Sequence, residues 1–161
     1  INYNIAFPFD EKIDASLIEQ AAKTANVYDD IMDFPKGFDT ILGERGVTLS
    51  GGQKQRVSIA RALINETPIL LIDDSLSAVD TETEDKILSN LKAREELATT
   101  IIISHRISTI KHSSEILFMD DGEIIERGTH EELIDLEGQY YSLYMKQLLE
   151  DKIKKDDYHG E

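Results

Sequence analysis

The sequence predicts an α/β fold in which a mostly parallel sheet is accompanied by a layer of helices. A short aliphatic run at residues 69–72 and a β-branched run at residues 99–103 alternate with segments of helical periodicity. Continuous aliphatic strands between helices are typical of parallel strands buried on both faces of a sheet. The segment from about residue 10 to residue 64 shows helical patterns only, which indicates a separate helical layer.

The first part of the chain contains two predicted helices before the first strand. Apolar residues at helical spacing indicate a helix from Asp14 to about Met32, and Pro35 and Gly37 end that pattern. A second helix begins at Ser50 and continues to about Ile64. The aliphatic run 69–72 then forms a short buried strand that ends in two carboxylates.

The central part continues the alternation of helix and strand. A third helix is expected from Thr81 to about Leu97, because Thr81 and Glu84 fit a capping box. The β-branched run from Thr99 to Ile103 follows as a second strand.

The last part predicts a hairpin and two helices. Strands at Glu115–Met119 and Glu123–Arg127 flank Asp121-Gly122, a strong turn signal, so the pair is expected to be antiparallel. Thr129-x-x-Glu132 caps a further helix, and Gln139 to about Glu150 forms the last one. The charged tail from Asp151 lacks periodicity and is expected to be disordered.

Composition excludes several classes of site. The chain has no cysteine, which removes disulfides, thiolate metal sites and cysteine nucleophiles. Its formal net charge of -15 disfavours binding to nucleic acid through a basic face. The longest aliphatic run is far shorter than the ~18 residues that a membrane span needs.

The segment Leu49-Ser50-Gly51-Gly52-Gln53 opens the second helix. Ser50 and Gln53 satisfy a capping box by themselves, which is the purely structural interpretation. Two glycines in a first turn nevertheless cost helix stability, roughly 1 kcal/mol each relative to alanine. They are better explained if the backbone approaches something closely, and a helix start with bare N–H groups favours a phosphate. From this motif alone the two interpretations stay open.

The carboxylates Asp73 and Asp74 follow the first strand directly. They could simply solvate the end of that strand. In α/β proteins, however, ligands bind at the carboxyl edge of the sheet. Asp73 would then hold Mg²⁺, directly or through water, and Asp74 would orient or deprotonate an attacking water.

His105 follows the second strand, at the same expected edge of the sheet, where a terminal phosphate would lie. Most single histidines are structural or solvated, so this assignment needs the neighbouring motifs. His112, His130 and His159 show no metal-ligand spacing and receive no role.

Taken in order, these motifs resemble the nucleotide-binding domain of ATP-binding-cassette (ABC) proteins over roughly residues 1–148. Residues 49–53 are similar to the family signature LSGGQ, and residues 69–73 to the Walker B strand. Ser77-Ala78-Val79-Asp80 resembles the D-loop, and His105 the switch histidine. The resemblance implies a RecA-like P-loop ATPase core with a helical subdomain, and ATP with Mg²⁺ as ligands. It divides the chain into a mainly helical signature part (1–64), a Walker B, D-loop and H-loop part (65–138), a last helix (139–150) and a tail (151–161).

The resemblance also assigns roles. Asp74 and His105 would be catalytic, Asp73 would bind Mg²⁺, and Ser77 and Asp80 would contact nucleotide from the D-loop. The signature residues Ser50, Gly51, Gly52 and Gln53 would contact the ATP of a partner domain in a head-to-tail dimer.

Further segments are similar to exporter-type cassettes, among them residues 4–7, 43–46, 104–109 and 122–133. The resemblance implies a transmembrane domain upstream in the same chain and a place at the cytoplasmic face of a membrane. Glu44 and Arg45 are candidate contacts to the coupling helices of that domain. An exposed charge pair on a turn is an equally good interpretation of them.

The motif G-x-x-x-x-G-K-[ST] does not occur in the sequence. The chain thus resembles the C-terminal part of a cassette, with the P-loop, the adenine-stacking aromatic and the Q-loop expected upstream of Ile1. We expect the 161 residues alone to lack appreciable ATPase activity, and the sheet to have exposed edges.

Asp74 departs from the family pattern, which has glutamate after the Walker B aspartate. The shorter side chain withdraws the carboxylate by about 1.5 Å, and a misplacement of about 1 Å can cost ~10²-fold in rate. An intact signature with a weakened carboxylate resembles the degenerate-site subunit of heterodimeric exporters.

The leading hypothesis is therefore the ATP-hydrolysing part of an ABC exporter. The alternatives are a non-catalytic dimerisation or regulatory module and a soluble, non-transport ABC ATPase.

Overall fold

The computed structural model describes residues 1–9, 13–43, 48–65, 67–93 and 99–158, with side chains up to residue 153. The chain forms two compact units, Ile1–Ile103 and Ser104–Glu161, and each is described by itself. The division near residue 64 remains a prediction.

The first unit combines helices with one parallel strand pair. Four helices come first, followed by a strand, a fifth helix and a second strand. Their bounds are α1 Asn2–Ile5, α2 Ala15–Thr24, α3 Tyr28–Met32, a 3-10 turn Gly37–Asp39, α4 Gly51–Leu63, β1 Ile69–Asp73, α5 Thr81–Lys92 and β2 Thr99–Ile103.

The helix predicted from Asp14 to Met32 is in fact two helices, α2 and α3. Asn26 lies between them with a φ of 51°, a left-handed conformation that cannot continue a right-handed helix. Asparagine adopts this conformation more readily than most residues, which explains a break without glycine or proline. Asp14 caps α2 by accepting a hydrogen bond from the backbone N–H of Ser16 at 2.9 Å.

Helices α2 and α4 pack through small side chains. Ala22, Ala25 and Ala60 are fully buried, and such residues allow two helix backbones to approach closely. Arg61 of α4 donates to the backbone oxygen of Asn4 at 2.7 Å and to its side-chain oxygen at 2.8 Å, which ties α1 to the same helix. The predicted helix from Ser50 to about Ile64 is thereby confirmed and anchored.

Strands β1 and β2 pair in parallel, as predicted, with Ile69 opposite Thr99 and Asp73 opposite Ile103. The expectation of burial on both faces is wrong for these strands. One face packs on the core through Ile72, whereas the other exposes four large side chains by between 48% and 61%. These four residues are called the apolar row: Ile69, Leu71, Ile101 and Ile103.

The N-cap of helix α5 lies one residue earlier than the sequence predicts. The cap is Asp80, whose carboxylate accepts from the backbone N–H of Thr83 at 3.0 Å, and not Thr81. Aspartate is as good a cap as any residue, so two adjacent candidates competed and the acidic one forms it. The helix is described to Lys92, and the predicted end near Leu97 lies outside the described residues.

The second unit is built on an antiparallel hairpin, as predicted. Its bounds are α6 Ile107–Ile110, β3 Ile116–Asp120, β4 Glu123–Gly128, α7 His130–Asp135 and α8 Gln139–Tyr158. Asp121 and Gly122 both have positive φ values, 46° and 82°, as a tight hairpin turn requires. The capping box of Thr129 and Glu132 is also present.

The core of the second unit is small. Ile107, Ile116, Leu133 and Tyr140 are buried, and Tyr140 is the largest of them. Helix α8 continues to Tyr158, where the sequence predicts a tail without regular structure from Asp151. Lysine and tyrosine in this stretch are compatible with a helix. A segment without apolar periodicity can therefore continue a helix whose first turns are packed.

Among the described residues, no helix is long and apolar enough to cross a membrane. The observed elements confirm the α/β class and the parallel pairing of the two aliphatic strands.

Candidate functional site at the start of helix α4 and the end of strand β1

The first turn of α4 is a complete capping box. The hydroxyl oxygen of Ser50 accepts from the backbone N–H of Gln53 at 3.2 Å, and the Gln53 side-chain oxygen accepts from the Ser50 N–H at 3.0 Å. The N–H groups of Gly51 and Gly52 have no acceptor within a helix because of their position in its first turn. Ser50 and Gly51 are exposed, so this helix start is open to a ligand.

The two glycines of this turn have different neighbours. A Cβ placed on Gly52 would lie 2.9 Å from the carbonyl oxygen of Ala78, which is too close. A Cβ on Gly51 would meet only the Cβ of Ala78, at an ordinary 3.6 Å. For Gly52, the close approach that the sequence predicted is made by the Ala78 carbonyl of the same chain, so no ligand is needed to explain this glycine. Gly51 has no such internal explanation.

Gln53 is held by a residue that the sequence did not single out. Its side-chain N–H donates to Asp30 Oδ1 at 2.9 Å. Asp30 also pairs with Arg56, whose Nη1 lies 2.8 Å from Oδ2. Arg56 in turn donates to the backbone oxygen of Asn26. Helix α3 thus fixes the side chain of the last signature residue.

Asp73 and Asp74 lie at the carboxyl end of β1, as predicted, and both are exposed. The Asp74 N–H donates to the carbonyl oxygen of Ile103 at 3.0 Å, which extends the pairing of the two strands by one bond. Asp74 has a φ of 45°, so the chain turns sharply directly after the strand.

The loop 74–80 follows this turn and is anchored to the hydrophobic core by buried Leu76 and Val79. The hydroxyl of Ser77 donates to the carbonyl oxygen of Asp74 at 2.9 Å. Ser77 and Asp80 are exposed beside the start of α4, whose Gly52 touches Ala78. The hydrogen bond from the Thr83 backbone N–H holds the pKa of Asp80 below its ordinary value, so this carboxylate stays ionised.

These donor sets fit a nucleotide with a magnesium ion. No group of three or more metal-binding side chains occurs among the described residues. Mg²⁺ in phosphate-binding enzymes usually needs only one or two protein carboxylates, since phosphates and water supply the other ligands. Exposed Asp73 meets that requirement, and the bare first turn of α4 suits a phosphate.

His105 belongs to the second unit, where its backbone is fixed and its imidazole is exposed. The side chain of Gln147, on α8, donates to the His105 carbonyl oxygen at 2.7 Å and accepts from the Ile107 N–H at 2.9 Å. The Ser104 hydroxyl also accepts from the Arg106 N–H at 3.0 Å. Nothing in the sequence pointed to Gln147, since it lies far along the chain.

Three residues considered in the sequence lie outside the described part of the chain. They are Glu44, Arg45 and His159. The transmission contact proposed for the first two remains a prediction.

A family model described as ABC transporter matches residues 4–77, which include α4, β1 and the start of the loop 74–80. The chain is similar to a solved structure titled "Structure of a bacterial Atm1-family ABC exporter with ATP bound". The match covers 91% of this chain and 25% of the chain in that structure. The identity is 45% and the TM-score is 0.83. The chain belongs to the family of ABC transporter nucleotide-binding domains.

Curated relatives agree with this family. The chain is 49% identical over 141 residues to an ATP-dependent lipid A-core flippase of Idiomarina loihiensis. It is 49% identical over 140 residues to ATP-binding cassette sub-family B member 5 of Mus musculus, and 45% identical over 137 residues to multidrug resistance protein 4 of Entamoeba histolytica. The matches cover 88%, 87% and 85% of this chain. The chain spans 24%, 11% and 10% of the lengths of these relatives.

Proposed function

We propose that this chain is part of an exporter-type ABC protein and contributes to ATP binding and hydrolysis that drive transport. The supporting observation is the open, Ser50-capped start of α4 with Gly51 exposed beside the loop 74–80. The relatives named as a flippase and a multidrug resistance protein support export as the process. On this proposal the segment lies at the cytoplasmic face of a membrane, joined to a transmembrane domain in the same chain.

The chain's own residues divide between two nucleotide sites. Ser50, Gly51, Gly52 and Gln53 contact the ATP of a second nucleotide-binding domain in a head-to-tail dimer. Gln53 has one amide hydrogen committed to Asp30, so the second hydrogen is the one available for a ligand. Asp73 and Asp74 serve the nucleotide on their own side. Ser77 and Asp80, both exposed, contact nucleotide from the loop 74–80.

Hydrolysis at the nucleotide site of Asp73 and Asp74 needs an oriented water. Bound Mg²⁺ supplies charge neutralisation at the phosphates. Asp73 holds that ion directly or through water, and Asp74 accepts a proton from, or orients, the attacking water. His105 donates to the terminal phosphate from the segment after β2. Because the sequence contains no G-x-x-x-x-G-K-[ST], the P-loop that grips this nucleotide comes from other sequence, and the 161 residues alone are inactive.

Asp74 makes the site on its own side slow. Its carboxylate is shorter than the glutamate of the family pattern, so the distance to the water is longer. We infer that the protein works with a different partner chain whose glutamate completes the competent site together with Ser50–Gln53 of this chain.

The experiment compares substitutions in the full-length polypeptide assembled with its partner. Gly51→Ala places a methyl group where the chain itself has room, so we expect normal stability and nearly complete loss of ATP turnover. Ser50→Ala removes a helix cap as well, which costs about 1 kcal/mol of stability. ATPase rate and melting temperature are measured for each variant.

Thr129→Ala is the matched control, since it removes the cap of another capping box, on α7. It should lower stability about as much as Ser50→Ala and leave turnover unchanged. Full activity of Gly51→Ala would contradict the role of the signature. The alternative of a non-catalytic dimerisation or regulatory module would then be the better explanation.

A further inference from the structure

Gln55 joins helix α4 to the loop 74–80 through both atoms of its side-chain amide. Its oxygen accepts from the backbone N–H of Ala78 at 2.9 Å, and its nitrogen donates to the hydroxyl of Ser77 at 3.1 Å. Gln55 lies five residues after Ser50 and is half-buried. An amide that donates and accepts at once fixes both the distance and the direction of its partner.

The contact continues from Ser77 to Asp74. The Ser77 hydroxyl accepts from Gln55 and donates its own hydrogen to the Asp74 carbonyl oxygen at 2.9 Å. On its other side, Asp74 is fixed by its N–H bond to Ile103. A hydrogen-bonded chain of three residues therefore runs from the signature helix to the carbonyl of the residue that bears the candidate catalytic carboxylate.

Simple attachment of the loop does not require this chain of bonds. Leu76 and Val79 are buried with exposed fractions of 3% and 5%, and they anchor the loop in the apolar core. Gly52 also contacts the Ala78 carbonyl region. Removing the Gln55 amide leaves these contacts in place. What it removes is the link from α4 to Ser77. The N–H and hydroxyl of Ser77 still donate to the Asp74 carbonyl oxygen, at 3.3 and 2.9 Å, but this pair is then no longer tied to α4.

We propose that Gln55 is a positioning residue for hydrolysis, which sets the direction of the Asp74 carboxylate through Ser77. This inference rests on the proposed function, since it assumes that Asp74 orients water. It links the helix that contacts one nucleotide to the carboxylate that serves the other, within a single chain. A movement at the start of α4 then alters the rate at Asp74 without any contact between Gln55 and a nucleotide.

The test uses the full-length polypeptide with its partner, in which ATPase kcat and KM are measured. In the partner chain, the catalytic glutamate is replaced by glutamine, so that the measured turnover is that of the Asp74 site. Gln55→Leu removes both bonds while keeping a similar volume. Because a misplacement of about 1 Å can cost ~10²-fold in rate, we expect kcat to fall at least ~10-fold with KM changed less than ~3-fold.

Two further variants separate positioning from stability. Gln55→Glu still accepts from the Ala78 N–H but cannot donate to Ser77, so we expect kcat to fall as in Gln55→Leu. Ser77→Ala should show a similar fall, whereas Ser77→Thr keeps a hydroxyl and should recover most of the rate. Combining Gln55→Leu with Ser77→Ala should be little worse than either alone, as expected for residues that act in one chain of bonds. Ser58→Ala, exposed on the same helix, is the control expected to match wild type.

Unchanged kcat in Gln55→Leu or Gln55→Glu would overturn the proposal, as would multiplicative effects in the double variant. A fall in rate that only follows a fall in melting temperature would also overturn it. If Gln55→Leu does not fold, Gln55→Glu decides.

If the wild-type assembly does not hydrolyse ATP, the proposed function has failed. Hydrogen exchange at the Ala78 amide then tests the contact alone. Gln55→Leu removes the acceptor of that N–H, so faster exchange is expected in this variant, and unchanged exchange would overturn the contact.

Discussion

Asp74, the proposed catalytic carboxylate, has an unusual backbone conformation. Its φ of 45° lies in the left-handed region, which aspartate and asparagine occupy several-fold more often than other residues apart from glycine. Glutamate, which the resemblance gives as the usual residue at this position, is not enriched in that region. The backbone conformation at this position therefore favours aspartate over glutamate.

Asp74→Glu should raise the slow ATP turnover of the assembled protein, because the longer side chain brings the carboxylate nearer to the water. It should also lower the free energy of unfolding by less than about 1–2 kcal/mol, the cost of left-handed backbone for ordinary residues, since aspartate tolerates this conformation better than glutamate. Steady-state ATPase assays and thermal denaturation measure the two effects.

Asp74→Asn is the matched comparison, because asparagine keeps the size and the backbone preference but loses the charge. We expect unchanged stability and reduced turnover, whereas Gly51→Ala abolishes turnover. Equal losses from Asp74→Asn and Gly51→Ala would contradict the asymmetric arrangement.

At the scale of single residues, the sequence predicted the motif positions but not their supports. Ser50, Asp73 and Asp74 could be located because local patterns place a cap and a strand end. Asp30 and Gln147 could not, since each acts across a long sequence separation through one side chain. A hydrogen bond between distant residues leaves no periodic signal in a single sequence.

At the scale of elements, long periodic segments were predicted well and short ones were missed. Helices α1 and α6 have four residues each, which is too short to show a helical period. Helix α4 was located to within a residue or two because its apolar residues follow the helical period. Strands β1 and β2 were located equally well because each is a short continuous run of aliphatic or β-branched residues. The cap of α5 was misplaced because Asp80 and Thr81 are both good caps.

Helix α8 is attached to the second unit through Tyr140. This residue is fully buried, and its hydroxyl lies 2.8 Å from Nδ1 of His130. Burial raises the pKa of Tyr140 to about 12 from an ordinary value of 10.0. His130, to which the sequence assigned no role, is thus a structural partner of this helix.

The stability of the chain should therefore fall as the pH rises from about 10 to about 12. In that interval the tyrosine ionises in the unfolded state but not in the folded state, which favours unfolding. Below pH 10 this contribution is fully present. Chemical denaturation at pH 8 and pH 11 measures the difference.

Tyr140→Phe is the control for this pH dependence. It loses the bond to His130, which costs about 0.5–1.5 kcal/mol at neutral pH. It should then show a shallower loss between the two pH values than the wild type. An equally steep loss in the variant would mean that another group is responsible.

At the scale of the whole molecule, a net charge of -15 coexists with the exposed apolar row on β1 and β2. Leu71 lies directly opposite Ile101 within this row. Contiguous exposed apolar side chains mark surfaces that bind other apolar groups or aggregate. The alternating pattern of exposure was not predictable, since a continuous aliphatic run gives both faces of a strand the same composition.

Leu71→Lys should reduce the binding of an apolar fluorescent dye to the 161-residue chain, and reduce light scattering at high concentration. The side chain is 60% exposed, so the change should cost little stability. Leu17→Lys, at an exposed apolar residue of α2, adds the same charge outside the row. Equal reductions in both variants would show that added charge, and not the row, controls association.

The approach of the Ala78 carbonyl oxygen to Gly52 changes how mutational data at the glycine pair are to be interpreted. Any side chain at residue 52 pushes on a peptide of its own polypeptide before a second protein or a nucleotide is present. Substitutions there combine a defect of assembly between chains with a defect inside one chain. Only substitutions at residue 51 isolate the first defect from the second.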